Sequence, residues 1–186
     1  IRRPPRSTQG VSSAASDVYK RQIQTTAGAA PTTKDLGFAA GSVIQTQHTV
    51  NTTGDAASTA STFPIASGFK LSITPKFTSS KVLVIFDIDA WLDSGNNTNK
   101  IGKYAIRLNS QSNTIVSHKR YGNKTGSSGD DMGGQITLTY MDSPNSTSAQ
   151  EYELVLGRWS STYDNNVKIN GGGYGHSSIT LMEIAQ

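Results

Sequence analysis

From Gly41 onward apolar and polar residues alternate with a period of two, and no stretch keeps a helical period beyond a couple of turns. Val43 to Val50 predicts a first strand, with Ile44, Thr46, His48 and Val50 on one face. A Thr/Ser/Ala loop follows from Asn51 to Thr62. Phe69, Leu71 and Ile73 then alternate with Lys70, Ser72 and Thr74, which predicts a strand with one wet face, closed by Pro75. Lys81 to Asp93 carries the strongest signal. Val82, Val84, Phe86, Ile88, Ala90 and Leu92 share one face, opposite Leu83, Ile85, Asp87, Asp89, Trp91 and Asp93. A strand of that length predicts a bulge or a bend.

Further strands are expected over Ile101 to Leu108 and Thr114 to Tyr121, joined by the hairpin-like NSQSN at 109–113. After the glycine-rich stretch Gly122 to Gly134 come Gln135 to Met141, Glu151 to Trp159, a short strand within Asn166 to Asn170, and Ser178 to Ala185. The turn signals between them have the spacing of an all-β sandwich or jelly roll. The expected fold is therefore an antiparallel, jelly-roll-like β-sandwich of eight or nine strands over 42–186, its C-terminus locked into a sheet. No internal repeat of fixed period is visible.

The beginning of the chain breaks this pattern. Residues 1–22 contain adjacent prolines and clustered arginines without alternation, and residues 23–41 are small, polar and rich in Gly, Ala and Thr. The second stretch reads as a linker or shaft-like lead-in. The first reads as unstructured, and the string RRPPRSTQ followed by SSAASDVYKRQ resembles translated sequencing-adapter sequence. That resemblance implies that 1–22 is artefactual and that the natural protein starts upstream of Ile23.

Charge changes the picture only locally. The net charge of the 186 residues is +4, but residues 1–22 hold five of the seventeen basic side chains and one of the thirteen acidic ones. Residues 23–186 therefore carry twelve of each, and offer no overall electrostatic reason to bind a phosphate backbone. The chain has no cysteine, which rules out disulfides, thiolate metal sites and a cysteine nucleophile within it. No apolar run approaches the roughly 18–20 residues of a spanning helix. Neither nucleic acid nor membrane insertion is expected.

Candidate chemistry is sparse. Asp87, Asp89 and Asp93 share a strand face, but same-face neighbours sit about 6.5–7 Å apart, so Asp87 and Asp93 cannot share one ion without a bend. An ordinary solvated acidic face explains them. His48, His118 and His176 have no metal-ligand spacing, although His48 or His118 on a trimer axis would bind a metal there. The run Gly171 to Gly175 lacks a following helix and the dinucleotide fingerprint, so it reads as a turn. With no nucleophile elbow or phosphate loop, the expectation is a protein that is not an enzyme, with no catalytic residue, cofactor or metal. Aromatics at strand ends and in polar loops remain as the site candidates: Trp91, Tyr121, Trp159, Tyr163 and Tyr174. Flat aromatic faces beside Asn, Asp and Arg suit sugar recognition, and they equally suit core caps and subunit interfaces.

The segments GSVIQ (Gly41–Gln45), LSITPKFTSSKVLV (Leu71–Val84), YMDSP (Tyr140–Pro144), EYELVLGR (Glu151–Arg158) and SITLMEIAQ (Ser178–Gln186) together resemble a family of marine bacteriophage tail-fibre or virion structural proteins. The resemblance implies a compact sandwich at the end of a longer fibre, forming a homotrimer, with other virion tail proteins and a host surface glycan or protein as partners. It implies location in the phage tail, extracellular after release, and carries no site residues. A cellular carbohydrate-binding module or adhesin is the alternative. A glycan depolymerase is the weakest reading, because paired acids are poorly placed. Apolar residues on both sides of Lys81 to Ile85 point to burial beyond one core, by an oligomer or by a further sheet layer.

Overall fold

The computed structural model describes residues 37–52, 57–58, 63–93, 100–123, 131–160, 166–171 and 175–186. The assignments made above for 1–22 and for most of 23–41 lie outside these. The described chain is all-β. Its strands are β1 (Val43–Asn51), the two-residue β2 (Ala57–Ser58), β3 (Ile65–Ile73), β4 (Lys81–Leu92), β5 (Lys100–Leu108), β6 (Thr114–Asn123), β7 (Met132–Asp142), β8 (Gln150–Arg158), β9 (Val167–Ile169) and β10 (Ser177–Ile184). Nine of them have three residues or more. None of the described residues forms a helix long and apolar enough to cross a membrane.

All pairings are antiparallel, and four of them are nested. β1 pairs with β10, β3 with β8, β4 with β7, and β5 with β6. Wrapping such a nested set gives the jelly roll: one sheet of six strands holds β1, β10, β4 and β7 with the short β9 and β2, and the other, of four strands, holds β3, β8, β5 and β6. The expected antiparallel sandwich is observed.

Alternation builds the core between the sheets. Val82, Val84, Phe86, Ile88, Ala90 and Leu92 of β4 are fully buried. They meet Tyr104, Ile106 and Leu108 of β5, Tyr152, Leu154 and Leu156 of β8, and Ile179 and Leu181 of β10 in one cluster. Each large apolar side chain so buried contributes about 1.5–3 kcal/mol relative to an exposed one. Phe69 and Phe86 meet edge to face across the sheets, with centroids 6.3 Å apart.

Three features differ from the expectations or refine them. First, β4 has no bulge: its register with β7 runs unbroken from Val82 opposite Asp142 to Leu92 opposite Met132. Its length is accommodated on the other edge, where β10 pairs with Lys81 to Asp87 and β9 with Ala90 to Leu92.

Second, the face of β1 that carries Thr46, His48 and Val50 is the outer one. A register shift between Val43 and Gln45 turns Gln45 and Thr49 towards Glu183 and Ile179, while Thr46, His48 and Val50 face out. Val50 is 47% exposed. The polar inward face is held because Gln45 donates to the Glu183 carboxylate at 2.7 Å and to the Thr74 carbonyl at 2.7 Å. Glu183, fully buried, also accepts the backbone N–H groups of Lys76 and Phe77. A buried carboxylate with that many donors is satisfied.

Third, the glycine-rich stretch 122–134 is shorter as a loop than expected, since β6 runs to Asn123 and β7 starts at Met132. At the chain's end, Ala185 donates to the Ser42 carbonyl and Gly41 to the Ala185 carbonyl, both at 2.9 Å, so the terminal strand is tied in as anticipated. Phe38 rests edge-on against Phe77.

Candidate functional site

The topology places three of the aromatic candidates, Trp91, Tyr121 and Trp159, at one end of the sandwich. The strand ends that flank 94–99, 124–130 and 161–165 pair with one another. Leu92 opposes both Met132 and Val167, Lys100 opposes Asn123, and Gly102 opposes Arg158. Trp91, Tyr121 and Trp159 stand at these strand ends. Tyr163 and Tyr174 lie outside the described residues.

The three placed aromatics do not form one cluster. Trp91 faces outward from the sheet containing β4, in a seat made by two glycines. A Cβ on Gly171 would lie 2.1 Å from its Cγ, and one on Gly133 would lie 2.5 Å from its six-membered ring. Its indole N–H donates to Asp93 at 3.2 Å. Asp93 also pairs with Lys168 at 2.6 Å and accepts from Asn166 at 3.4 Å. Burial works to raise its pKa, but the hydrogen bonds from Lys168, Asn166 and Trp91, with the lysine's charge, bring it below the ordinary value. Trp91 is therefore a packed, half-buried element of a polar network.

Tyr121 faces inward at the β6–β7 edge and packs against the core, with its hydroxyl beside Gly134. Burial first, then the Asp89 carboxylate, raises its phenol above the usual value. It closes the sandwich.

Trp159 differs. It follows β8 on the outer face of the second sheet and is 41% exposed. Its backbone N–H donates to the Ile101 carbonyl at 3.1 Å, which fixes the main chain beside β5. The Arg120 guanidinium lies over its ring at 4.1 Å, and the Lys103 ammonium is 5.6 Å from the same ring. Lys103 also sits 4.1 Å over the ring of Phe63. Phe63 in turn rests on Gly157, where an added Cβ would meet it at 3.3 Å. Phe63, Lys103 and Arg120 were not singled out by sequence. Nothing in the local pattern signals that they meet, because Lys103 and Arg120 become neighbours only through the β5–β6 register.

The aspartates keep to one outward face but have separate partners. Asp87 accepts from Thr137 at 3.1 Å, Asp93 joins Lys168, and Asp89 lies under Gly175 with its pKa raised by burial, against an opposing effect of His176. His48 bonds Thr180 at 2.9 Å on the outer face of the first sheet, whereas His118 lies opposite Ala105 on the second. Among the described residues no group of three or more His, Asp or Glu is placed to hold a metal ion.

No protein-family model matches the chain, and no curated protein matches it. Among solved structures, the structure of infectious bursal disease virus Gx strain matches at 13% identity and a TM-score of 0.36, over 77% of this chain and 38% of that chain. The T13 viral particle of the same virus matches at 13% identity and a TM-score of 0.39, over 78% and 37%. A mutant VP2 protein of that virus in derived T=1 particles matches at 15% identity and a TM-score of 0.37, over 77% and 37%. This chain spans under two-fifths of the length of those chains. Likeness at this level carries no functional argument.

Proposed function

We propose that this chain is a non-enzymatic structural or receptor-binding domain of a phage virion, a tail-fibre module that works as a homotrimer. The observation that carries the proposal is the outer face of the β1–β10–β4–β7 sheet. Leu83 and Ile85 point away from the core and are only partly buried, and no further sheet layer of the described residues covers them. Beside Leu83 in register lie Met141, 46% exposed, and Met182, while Ile184 stands opposite Val43, which is 52% exposed. A contiguous apolar strip on one outer face, with aromatics at one end, suits a domain that packs against copies of itself and presents that end outward. The motif resemblance and the jelly-roll wrapping, an architecture shared by capsid and lectin domains, support the same reading.

Its partners would be two further copies of this chain, other virion tail proteins and a host surface glycan or protein. It would reside in the phage tail, reaching the extracellular medium after release. Light scattering coupled to size-exclusion chromatography of the full chain tests it. A stable trimer supports the reading. A monomer at micromolar concentration shifts weight to a cellular carbohydrate-binding module or adhesin, which the exposed Trp159 surface favours.

A further inference from the structure

Lys103 and Arg120 stand directly opposite each other on β5 and β6. Tyr104, next to Lys103, is fully buried in the core, so Lys103 projects from the outer face of its sheet. Two like charges directly opposite on one sheet face destabilise the pair. The cations elsewhere on this face are neutralised: Lys70 by Glu151 at 3.1 Å, and Arg107 by Glu153. Among the described residues neither Lys103 nor Arg120 has a carboxylate partner. Their partners are rings: Phe63 and Trp159 for Lys103, and Trp159 for Arg120.

The arrangement has a definite shape. Strands lie about 4.8 Å apart, so an Arg120 that reaches Trp159 from β6 must lie across β5. The guanidinium stacks over one face of the partly exposed indole, with the Lys103 ammonium at the margin of that stack. A ring face offers dispersion contact to the C–H face of a sugar, and the two cations offer charge-assisted hydrogen bonds to an anionic substituent. A neutral sugar would leave the cations unused. A purely apolar partner would leave them desolvated and unpaired, which is costly.

We infer that Phe63, Lys103, Arg120 and Trp159 form a binding site for acidic glycans, sugars bearing a carboxylate or sulfate. The site deepens the receptor-binding reading by naming the ligand class, and it rests on that reading. It also gives a role to two cations that stand side by side with no carboxylate partner among the described residues. The ligand's anion meets the two cations, and its ring packs against the exposed part of the guanidinium–indole stack.

The test is calorimetric titration of the full chain with three probes: an oligogalacturonate, its methyl ester and a sulfated galactan oligosaccharide. At least one acidic probe is expected to bind about tenfold or more tighter than the neutral ester, as expected for hydrogen bonds to charged groups. Which acidic probe wins identifies the anion. Raised salt is expected to weaken acidic binding, because the site is exposed. Arg120→Gln is expected to remove most of the preference for the acid, and Trp159→Ala to weaken every probe. Both side chains are exposed, and unchanged thermal unfolding of each variant checks that the fold is intact. Equal binding of acid and ester overturns the inference, as does absence of acidic binding or acidic binding unchanged in both variants. Light scattering on the same sample separates this from the virion reading: a trimer without acidic binding sinks only the site, and a monomer that binds acid sinks only the trimer.

Discussion

The Tyr152 hydroxyl donates to the Asp142 carboxylate at 2.8 Å inside the sandwich, joining β8 of one sheet to the end of β7 in the other. Both residues are buried. Asp142 further accepts the Ser143 backbone N–H at 2.8 Å and the Gln111 amide at 3.4 Å. Tyr152→Phe removes the cross-sheet donor while keeping the ring. It is expected to cost about 1–3 kcal/mol, the range for a buried polar group losing its partner. Urea unfolding with an unchanged slope checks this.

Burial pushes the phenols of Tyr152 and Tyr104 far above the ordinary value of 10.0, with Asp142 adding to the effect at Tyr152. A folded pKa raised above the unfolded one gives stability that is complete below 10.0 and is lost as pH rises beyond it. The unfolding free energy is therefore expected to fall above that pH. Absorbance should show the phenolates of these two residues appearing together with unfolding. In Tyr104→Phe the alkaline decline should be shallower.

Asp89 and Asp93 share a strand face yet act on stability with opposite sign. Asp93 titrates below 3.8, so its contribution is present above 3.8 and is lost as pH falls through the folded value. Asp89 titrates above 3.8, so its contribution is present below 3.8 and is lost as pH rises through the folded value. At neutral pH, Asp93→Asn is expected to destabilise by about 1 kcal/mol, in the upper range for a partly exposed ion pair. Asp89→Asn is expected to stabilise slightly. Denaturant midpoints at neutral pH, and at a pH below both values where the difference from wild type should vanish, check both signs.

Gly171 and Gly133 leave room for the Trp91 indole, and a Cβ at Gly171 would lie 2.1 Å from Trp91 Cγ. Gly171→Ala is expected to displace the ring and cost about 1–3 kcal/mol by overpacking. A shift in tryptophan emission, measured in a Trp159→Phe background so that only Trp91 reports, would reveal the displacement.

Met141 is 46% exposed in the apolar strip of the proposed contact between copies. Met141→Asp is expected to dissociate the trimer with little loss of protomer stability, since the side chain lies outside the core. Light scattering reads the first and denaturant unfolding of the monomer the second. A trimer that survives would place the contact elsewhere.

Strand positions were legible wherever alternation was strict. In β4 every second residue from Val82 to Leu92 is fully buried, as its pattern demands. In β1 the pattern did not mark the inward face, because Gln45 is inward and bonds to Glu183, more than a hundred residues away. Composition also exposed Trp91, Tyr121 and Trp159 as candidates, without distinguishing a glycine-seated indole, an edge-closing phenol and an exposed ring.

The amino-acid sequence by itself determined the all-β class, the core face of each strict strand and the absence of thiol chemistry. These follow from side-chain chemistry and a two-residue period, both local properties. Only the tertiary structure decided which strands pair, that Leu83 and Ile85 lie on an outer face, and that Lys103, Arg120 and Trp159 converge. Those facts depend on register between distant strands, and a shift of one residue would turn each side chain to the other face.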